Sequence, residues 1–161
     1  MRFASQSPAE TRRLGAALGA AVGPEGGAIS LRGALGAGKT LLVKALASGL
    51  GIDERGVSSP TFVIAAEYPC ARAGAPERLV HVDFYRVASV AELEAAGLDD
   101  WLAEGTLLVA EWGERFASAL PEDRLEISIA SGEAAESRIL EAAARGERSR
   151  ALLERWSKRW L

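Results

Sequence analysis

Apolar residues recur along the chain with two periods, and the switches between them mark a succession of helices and strands. Leu14, Ala17, Leu18 and Ala21 repeat at helical spacing behind Ser7-Pro8-Ala9-Glu10. There Ser7 can cap, Pro8 suits the first helical position and Glu10 closes a capping box. Gly23-Pro24 stops that helix. Residues 27–32 then read as a short buried strand and 41–48 as a helix with an apolar stripe, ending among Gly49 and Gly51. The polar stretch 52–61 is loop chemistry. Residues 62–68 and 78–85 read as strands, and the short Pro/Gly/Ala-rich connection 69–77 predicts that they pair antiparallel.

Downstream, Ser89-Val90-Ala91-Glu92 opens a short helix that Gly97 ends, with Trp101 and Leu102 on a further turn. Thr106-Leu107-Leu108-Val109-Ala110 is continuously apolar, the pattern of a central strand buried on both faces. It runs into Glu111-Trp112. Residues 124–129 alternate as a half-exposed strand should, and 137–142 can be its partner beyond the Ser131-Gly132 turn. A last helix covers 147–161, with Leu152, Leu153, Trp156 and Trp160 on one face. Its charged side chains are mostly basic. It is read either as a docked helix with a solvated basic face or as a contact for a partner or RNA.

Between the strand at 27–32 and the helix at 41–48 lies Gly33-Ala34-Leu35-Gly36-Ala37-Gly38-Lys39-Thr40, which fits G-x-x-x-x-G-K-[ST] at every fixed position. Glycines let consecutive backbone N–H groups turn inward around phosphate oxygens. The following helix adds its unpaired N–H groups and the positive end of its dipole. Lys39 can reach the β- and γ-phosphates, and the Thr40 hydroxyl can ligate Mg²⁺. The predicted fold is therefore an α/β P-loop NTPase domain spanning 1–161, in three layers. Its central sheet is mixed and mostly parallel, with helices on both faces.

Composition narrows the class. The chain has 161 residues, 48% of them hydrophobic, and a net charge of −3. That size suits one domain and that balance a soluble globular protein, with no global attraction to nucleic acid or anionic membrane. No run approaches the length of a spanning helix, and residues 1–6 lack the apolar core of a secretion signal. The single cysteine, Cys70, excludes an internal disulfide. A cytoplasmic location is expected.

A phosphate loop alone only binds; hydrolysis needs carboxylates near the metal or the attacking water. Glu111 directly follows the buried strand, and strand ends at the carboxyl edge of an open α/β sheet line the ligand crevice. Asp83 sits late in an apolar strand, where a carboxylate is costly without a cation. It is read as a metal-shell or water-positioning acid, or as a partner of Arg86. Thr61 is either a γ-phosphate-sensing hydroxyl in a switch loop or an ordinary strand-start threonine. Trp112 is placed to stack on a base or to fill the core, and His81, the only histidine, is structural or functional. No N-K-x-D-like stretch is present, which favours ATP over GTP.

Taken together, four blocks resemble the TsaE family of small P-loop ATPases in bacterial tRNA threonylcarbamoyladenosine (t6A) biosynthesis. They are the phosphate loop, Ser59-Pro60-Thr61-Phe62, His81-Val82-Asp83-Phe84-Tyr85-Arg86 and Glu111-Trp112. The resemblance implies an ATP/ADP and Mg²⁺ site in which Lys39 and Thr40 bind phosphate and metal. Glu111 is then the second metal-side acid, Asp83 the residue needed for turnover and Ser59-Pro60-Thr61 a switch-like loop. Gly33, Leu35, Gly36, Ala37, Gly38 and Trp112 would complete the nucleotide contacts, and Thr11 would lie near adenine. It further implies partnership with TsaD and TsaB, which modify adenosine 37 of tRNA, so that tRNA is met only through the complex and no membrane is involved. ATP hydrolysis in that family resets the complex between turnovers. Ala34 stands where the family commonly has an acid, and Gly113 where proline or alanine is frequent. A small-molecule kinase with an arginine-bearing lid at 69–78, and a nucleotide-gated binding module without turnover, are the rival readings.

Overall fold

A computed structural model describes residues 1–60 and 62–161. Its strands are β1 (Arg2–Ser5), β2 (Gly26–Arg32), β3 (Ala65–Pro69), β4 (Arg78–Asp83), β5 (Thr106–Glu111), β6 (Leu125–Ser131) and β7 (Arg138–Ala144). They form one sheet in the order β1-β7-β6-β2-β5-β4-β3. The four central strands β6, β2, β5 and β4 are parallel, and antiparallel strands flank them on both sides. The α/β fold with a mixed sheet is thus as expected, with parallel pairing confined to the centre. The expected antiparallel pair is β3–β4.

Helices α1 (Pro8–Ala21), α2 (Lys39–Gly49), α3 (Val90–Ala96), α4 (Leu98–Trp101) and α5 (Glu147–Trp160) cover the two faces. The alternation of side chains along a strand decides which residues serve which layer. Ile29, Leu31, Leu79, Leu107 and Val109 join the core beneath α1, α2 and α5. Ala28, Val80, Val82, Leu108 and Ala110 join the core beneath α3, α4 and the 3-10 turns at 84–86 and 113–119. All six residues of β5 are buried, which is why it reads as an unbroken apolar run.

Two contacts fix the helices that matter for the site. α1 presses on α2 through Gly15 and Gly19. A methyl group at 19 would lie 2.0 Å from the Leu46 carbonyl oxygen, and one at 15 would lie 2.6 Å from Ala45 Cβ. α5 is docked by Trp156, whose Nε1 donates to the Leu14 carbonyl at 3.0 Å and whose ring lies 4.2 Å from Phe3. Its N-terminus has glycine at the cap, so Asp123 supplies the missing acceptor, taking the N–H groups of Arg148 (2.8 Å) and Ser149 (3.0 Å).

Two boundaries and one missed strand show where the structure departs most from the sequence reading. β3 begins at Ala65, not at 62, because Phe62 and Val63 point to solvent and join no ladder. β4 ends at Asp83, not at 85, because the Asp83 carboxylate accepts the Tyr85 N–H at 2.9 Å and turns the chain. β1 was not expected at all. It is four residues long and its partner β7 lies at the far end of the chain, so no local periodicity announces it. Among the described residues no helix is long and apolar enough to cross a membrane.

Candidate functional site

The carboxyl ends of β2, β4 and β5 lie side by side: Leu31 is paired with Glu111, and Glu111 with Asp83. The loop from β2 turns there into α2. Gly36 (φ 78°) and Gly38 (φ 111°) take left-handed conformations that side chains resist, so glycine is required at both places. Ala37 is buried beneath the loop, and its carbonyl is held at 2.9 Å by Arg138 Nε, reaching over from β7. Leu35, Gly36, Gly38, Lys39, Thr40, Ser59, Asp83, Tyr85, Arg86, Glu111 and Trp112 line a cleft of about 360 Å³ around this loop.

Within the cleft the charges are partitioned. Lys39 is buried, and its Nζ donates to the Gly33 and Ala34 carbonyls at 2.7 and 3.0 Å. It also lies 4.0 Å from the centre of the Trp112 ring, a cation–π contact. Burial pushes its pKa down, and the fields of Glu111, Glu114 and Asp83 offset part of that. Glu111, only 3% exposed, gathers hydroxyls instead. Its Oε1 accepts from Thr40 Oγ1 at 3.0 Å, is 2.9 Å from His81 Nε2, and is 3.5 Å from Ser59 Oγ. Thr40 and Ser59 hydroxyls are 2.7 Å apart.

Trp112 is the one non-glycine among the described residues with positive φ, at 58°. Such a backbone is costly for a bulky residue and marks a place where the surroundings enforce a geometry. Here the enforced geometry brings the indole to Lys39 on one side and to the Tyr85 ring, 5.1 Å away, on the other. Arg115 donates to the carbonyls of Phe84 (2.6 Å) and Tyr85, tying the segment after β5 to the turn that holds Asp83.

The structure therefore brings together most of the residues singled out in the sequence: Leu35, Gly36, Gly38, Lys39, Thr40, Asp83, Glu111 and Trp112, with Gly33 and Ala37 forming the loop's frame. Thr11 is not among them. It is buried in α1, its hydroxyl 2.7 Å from Ser5 Oγ and 3.3 Å from the Ser7 carbonyl it donates to. Thr61 lies outside the described residues. Arg72 and Arg78, the arginines of the 69–78 segment, are both engaged elsewhere. Arg72 donates to the Gly49 and Val22 carbonyls, and Arg78 pairs with Glu67 and Asp100. Sequence reasoning passed over Arg138 and Arg115. Each acts through a backbone carbonyl distant in sequence, which leaves no local motif.

The donor set speaks to what the cleft can hold. Among the described residues there is no group of three or more His, Cys, Asp or Glu side chains placed to grip a metal. One carboxylate and one hydroxyl converge instead, a set that would suit a Mg²⁺ ion taking its other ligands from phosphate and water. Magnesium–oxygen bonds of about 2.0–2.1 Å put neighbouring octahedral ligands about 2.9 Å apart. The Thr40–Glu111 separation of 3.0 Å fits. A second cleft, about 290 Å³, opens at the opposite sheet edge, where Arg148 faces Glu104 and Arg155 faces Glu25. It lies at the start of the parallel strands, away from the edge where such sheets bind ligands.

Residues 5–140 match the family model described as threonylcarbamoyl adenosine biosynthesis protein TsaE. The chain belongs to the TsaE family. Among similar proteins named tRNA threonylcarbamoyladenosine biosynthesis protein TsaE, that of Treponema pallidum is 42% identical over 129 residues, 80% of this chain and 90% of its own. The Streptomyces coelicolor protein is 47% identical over 106 residues, 65% of this chain and 68% of its own. The Bacillus subtilis protein is 38% identical over 129 residues, covering 80% and 77%. The crystal structure of Bacillus subtilis YdiB superposes with a TM-score of 0.74 at 32% identity, covering 98% of this chain and 94% of its own. The resemblance read from the four sequence blocks is borne out.

Proposed function

We propose that this TsaE-family protein binds MgATP at residues 33–40 and hydrolyses it, and that the hydrolysis serves t6A formation on tRNA. The observation that carries the reading is the convergence of Thr40 Oγ1 and Glu111 Oε1 at 3.0 Å beside a lysine held in its own loop. Lys39 Nζ, which donates to the Gly33 and Ala34 carbonyls, would be drawn to a polyphosphate, with backbone N–H groups and the α2 dipole completing the cradle. Thr40 and Glu111 would hold Mg²⁺, which would neutralise charge building between the β- and γ-phosphates. Asp83, half-buried at the end of the neighbouring strand and lining the same cleft, would orient the attacking water.

The partners proposed are TsaD and TsaB. Large apolar side chains stand exposed here: Leu35 (82%) and Tyr85 (52%) line the cleft, and Phe62 (99%) and Val63 (64%) line an adjoining pocket that shares Pro60, Asp83 and Arg86 with it. Such an apolar rim suits a protein surface. Ser59 connects Thr40 and Glu111 to the segment bearing Phe62, so nucleotide and metal would change that rim. The test is reconstitution: with ATP, the chain is expected to raise t6A yield from TsaD and TsaB beyond one round. A yield unaffected by the chain, or equally raised by Lys39→Ala, would overturn the proposal. The kinase reading loses its lid, because Arg72 and Arg78 are bound away from the cleft.

A further inference from the structure

Lys39 and Glu111, both buried side chains, carry opposite charges and line one cleft, yet among the described residues they form no ion pair. Unlike charges this placed attract strongly in a low dielectric. A direct pair would fill the space that phosphate and metal need. Something must hold them apart. On the lysine side it is the Gly33 and Ala34 carbonyls and the Trp112 ring. On the carboxylate side the shortest contact is with His81 Nε2, at 2.9 Å.

We propose that His81 is a positioning residue that keeps Glu111 turned toward Thr40 and away from Lys39, by donating from Nε2–H. His81 is fully buried on β4, paired with Val109 of β5 and Ala66 of β3. Its Nε2 lies 2.9 Å from Glu111 Oε1, the same oxygen that accepts from Thr40. Its Nδ1 is buried and has no hydrogen-bond partner among the described residues. A proton on Nδ1 would be a stranded donor, whereas a proton on Nε2 makes a charge-assisted bond. The proton therefore sits on Nε2. The bond fixes Oε1 and with it the torsions of the carboxylate, as outer partners do for metal-ligating side chains. Among the described residues no other side chain with an N–H donates to Glu111.

The proposal rests on the MgATP reading for its consequence but not for its geometry, and the experiment separates the two. Because His81 is the only histidine in the chain, long-range ¹H–¹⁵N spectra of the nucleotide-free protein report it alone. The expected spectrum is that of the Nε2–H tautomer, with a ring shift in Glu111→Ala. In Mg²⁺ titrations of ATP binding, His81→Leu is expected to need about 10- to 100-fold more Mg²⁺. His81→Gln, whose amide nitrogen can donate from nearly the same place, is expected to recover most of that. A proton on Nδ1, or His81→Leu with wild-type Mg²⁺ dependence and an intact circular dichroism spectrum, would overturn the proposal. Loss of fold in His81→Leu leaves the decision to the tautomer and to His81→Gln. A wild type that ignores Mg²⁺ would refute the function proposed for the cleft, while the spectrum would still decide the His81–Glu111 bond.

Discussion

Gly19 is remote from the cleft, yet replacing it is expected to damage nucleotide binding. A methyl group there would sit 2.0 Å from the Leu46 carbonyl oxygen, 2.9 Å from its carbon and 3.1 Å from Gly49 Cα. Real Cβ contacts stay beyond 3.0 Å, so α1 and α2 must part by about 1 Å. The obstacle is helix backbone, and no rotamer change relieves it. Overpacking of this kind costs about 1–3 kcal/mol, while alanine gains about 0.8–1 kcal/mol of helix propensity over glycine. The net loss is up to about 2 kcal/mol, which corresponds to a Tm lower by up to about 4–8 °C at this chain length. Because α2 begins with Lys39 and Thr40, the same displacement reaches the phosphate site. Misplacements of about 1 Å cost up to about 100-fold in catalytic geometry, and ATP affinity in Gly19→Ala is expected to fall about tenfold. Thermal denaturation and calorimetric titration with MgATP measure both effects. Gly56→Ala, where a methyl group meets nothing within 4 Å, is the control, expected within about 1 °C of wild type. Wild-type Tm and affinity in Gly19→Ala would refute the claim that α1 sets the position of α2.

Further outcomes follow from the site and its supports. Asp83→Ala and Glu111→Ala are expected to lower ATP turnover far more than ATP binding, measured as kcat against the dissociation constant; equal loss of binding would contradict their assignment to turnover and metal. Arg138→Ala frees the Ala37 carbonyl from a charged-donor bond worth about 1.5–3 kcal/mol, so Tm is expected to fall by about 3–12 °C and ATP affinity about tenfold; wild-type values of both would remove Arg138 as a support of the loop. Burial works against the charged form of Asp123, but its bonds to Ser149 and to the N–H groups of Ser149 and Arg148 outweigh this and hold its pKa below the usual carboxylate range. Its stabilisation is therefore complete above the unfolded value of about 3.9 and lost as pH falls through the lower folded value. Asp123→Ala, removing a helix cap, is expected to cost about 1 kcal/mol at neutral pH and to flatten the acid limb of the stability profile; an unchanged acid limb would rule out this cap as its source.

The parts of the molecule legible in sequence are those where one local rule decides. Capping residues Ser7 and Ser89 mark helix starts that the structure keeps, with each hydroxyl accepting an N–H three residues on. The unbroken apolar run 106–110 announces the most buried strand, and the phosphate loop is announced by its glycines. What stayed hidden depends on contacts across the sheet. Arg138 reaches Ala37 from a strand 101 residues later. Asp123 caps a helix that begins over twenty residues downstream, and β1 exists only because β7 offers it an edge. His81 shows the limit most clearly. Alternation puts it on the face of Asp83, but its bond is to Glu111 on the neighbouring strand, and only register reveals that. Thr11, carried over by resemblance alone, sits with Ser5 and Ser7 instead of lining the cleft.

A polyphosphate is expected to draw Lys39 away from the Gly33 and Ala34 carbonyls and to share a magnesium ion with Thr40 and Glu111. Calorimetric titration of ATP into the wild type and into Lys39→Ala, each with and without Mg²⁺, tests it most directly. Binding that is strong only in the wild type, and weaker when Mg²⁺ is withheld, is the expected result. Equal binding by the two proteins, indifferent to the metal, would contradict it.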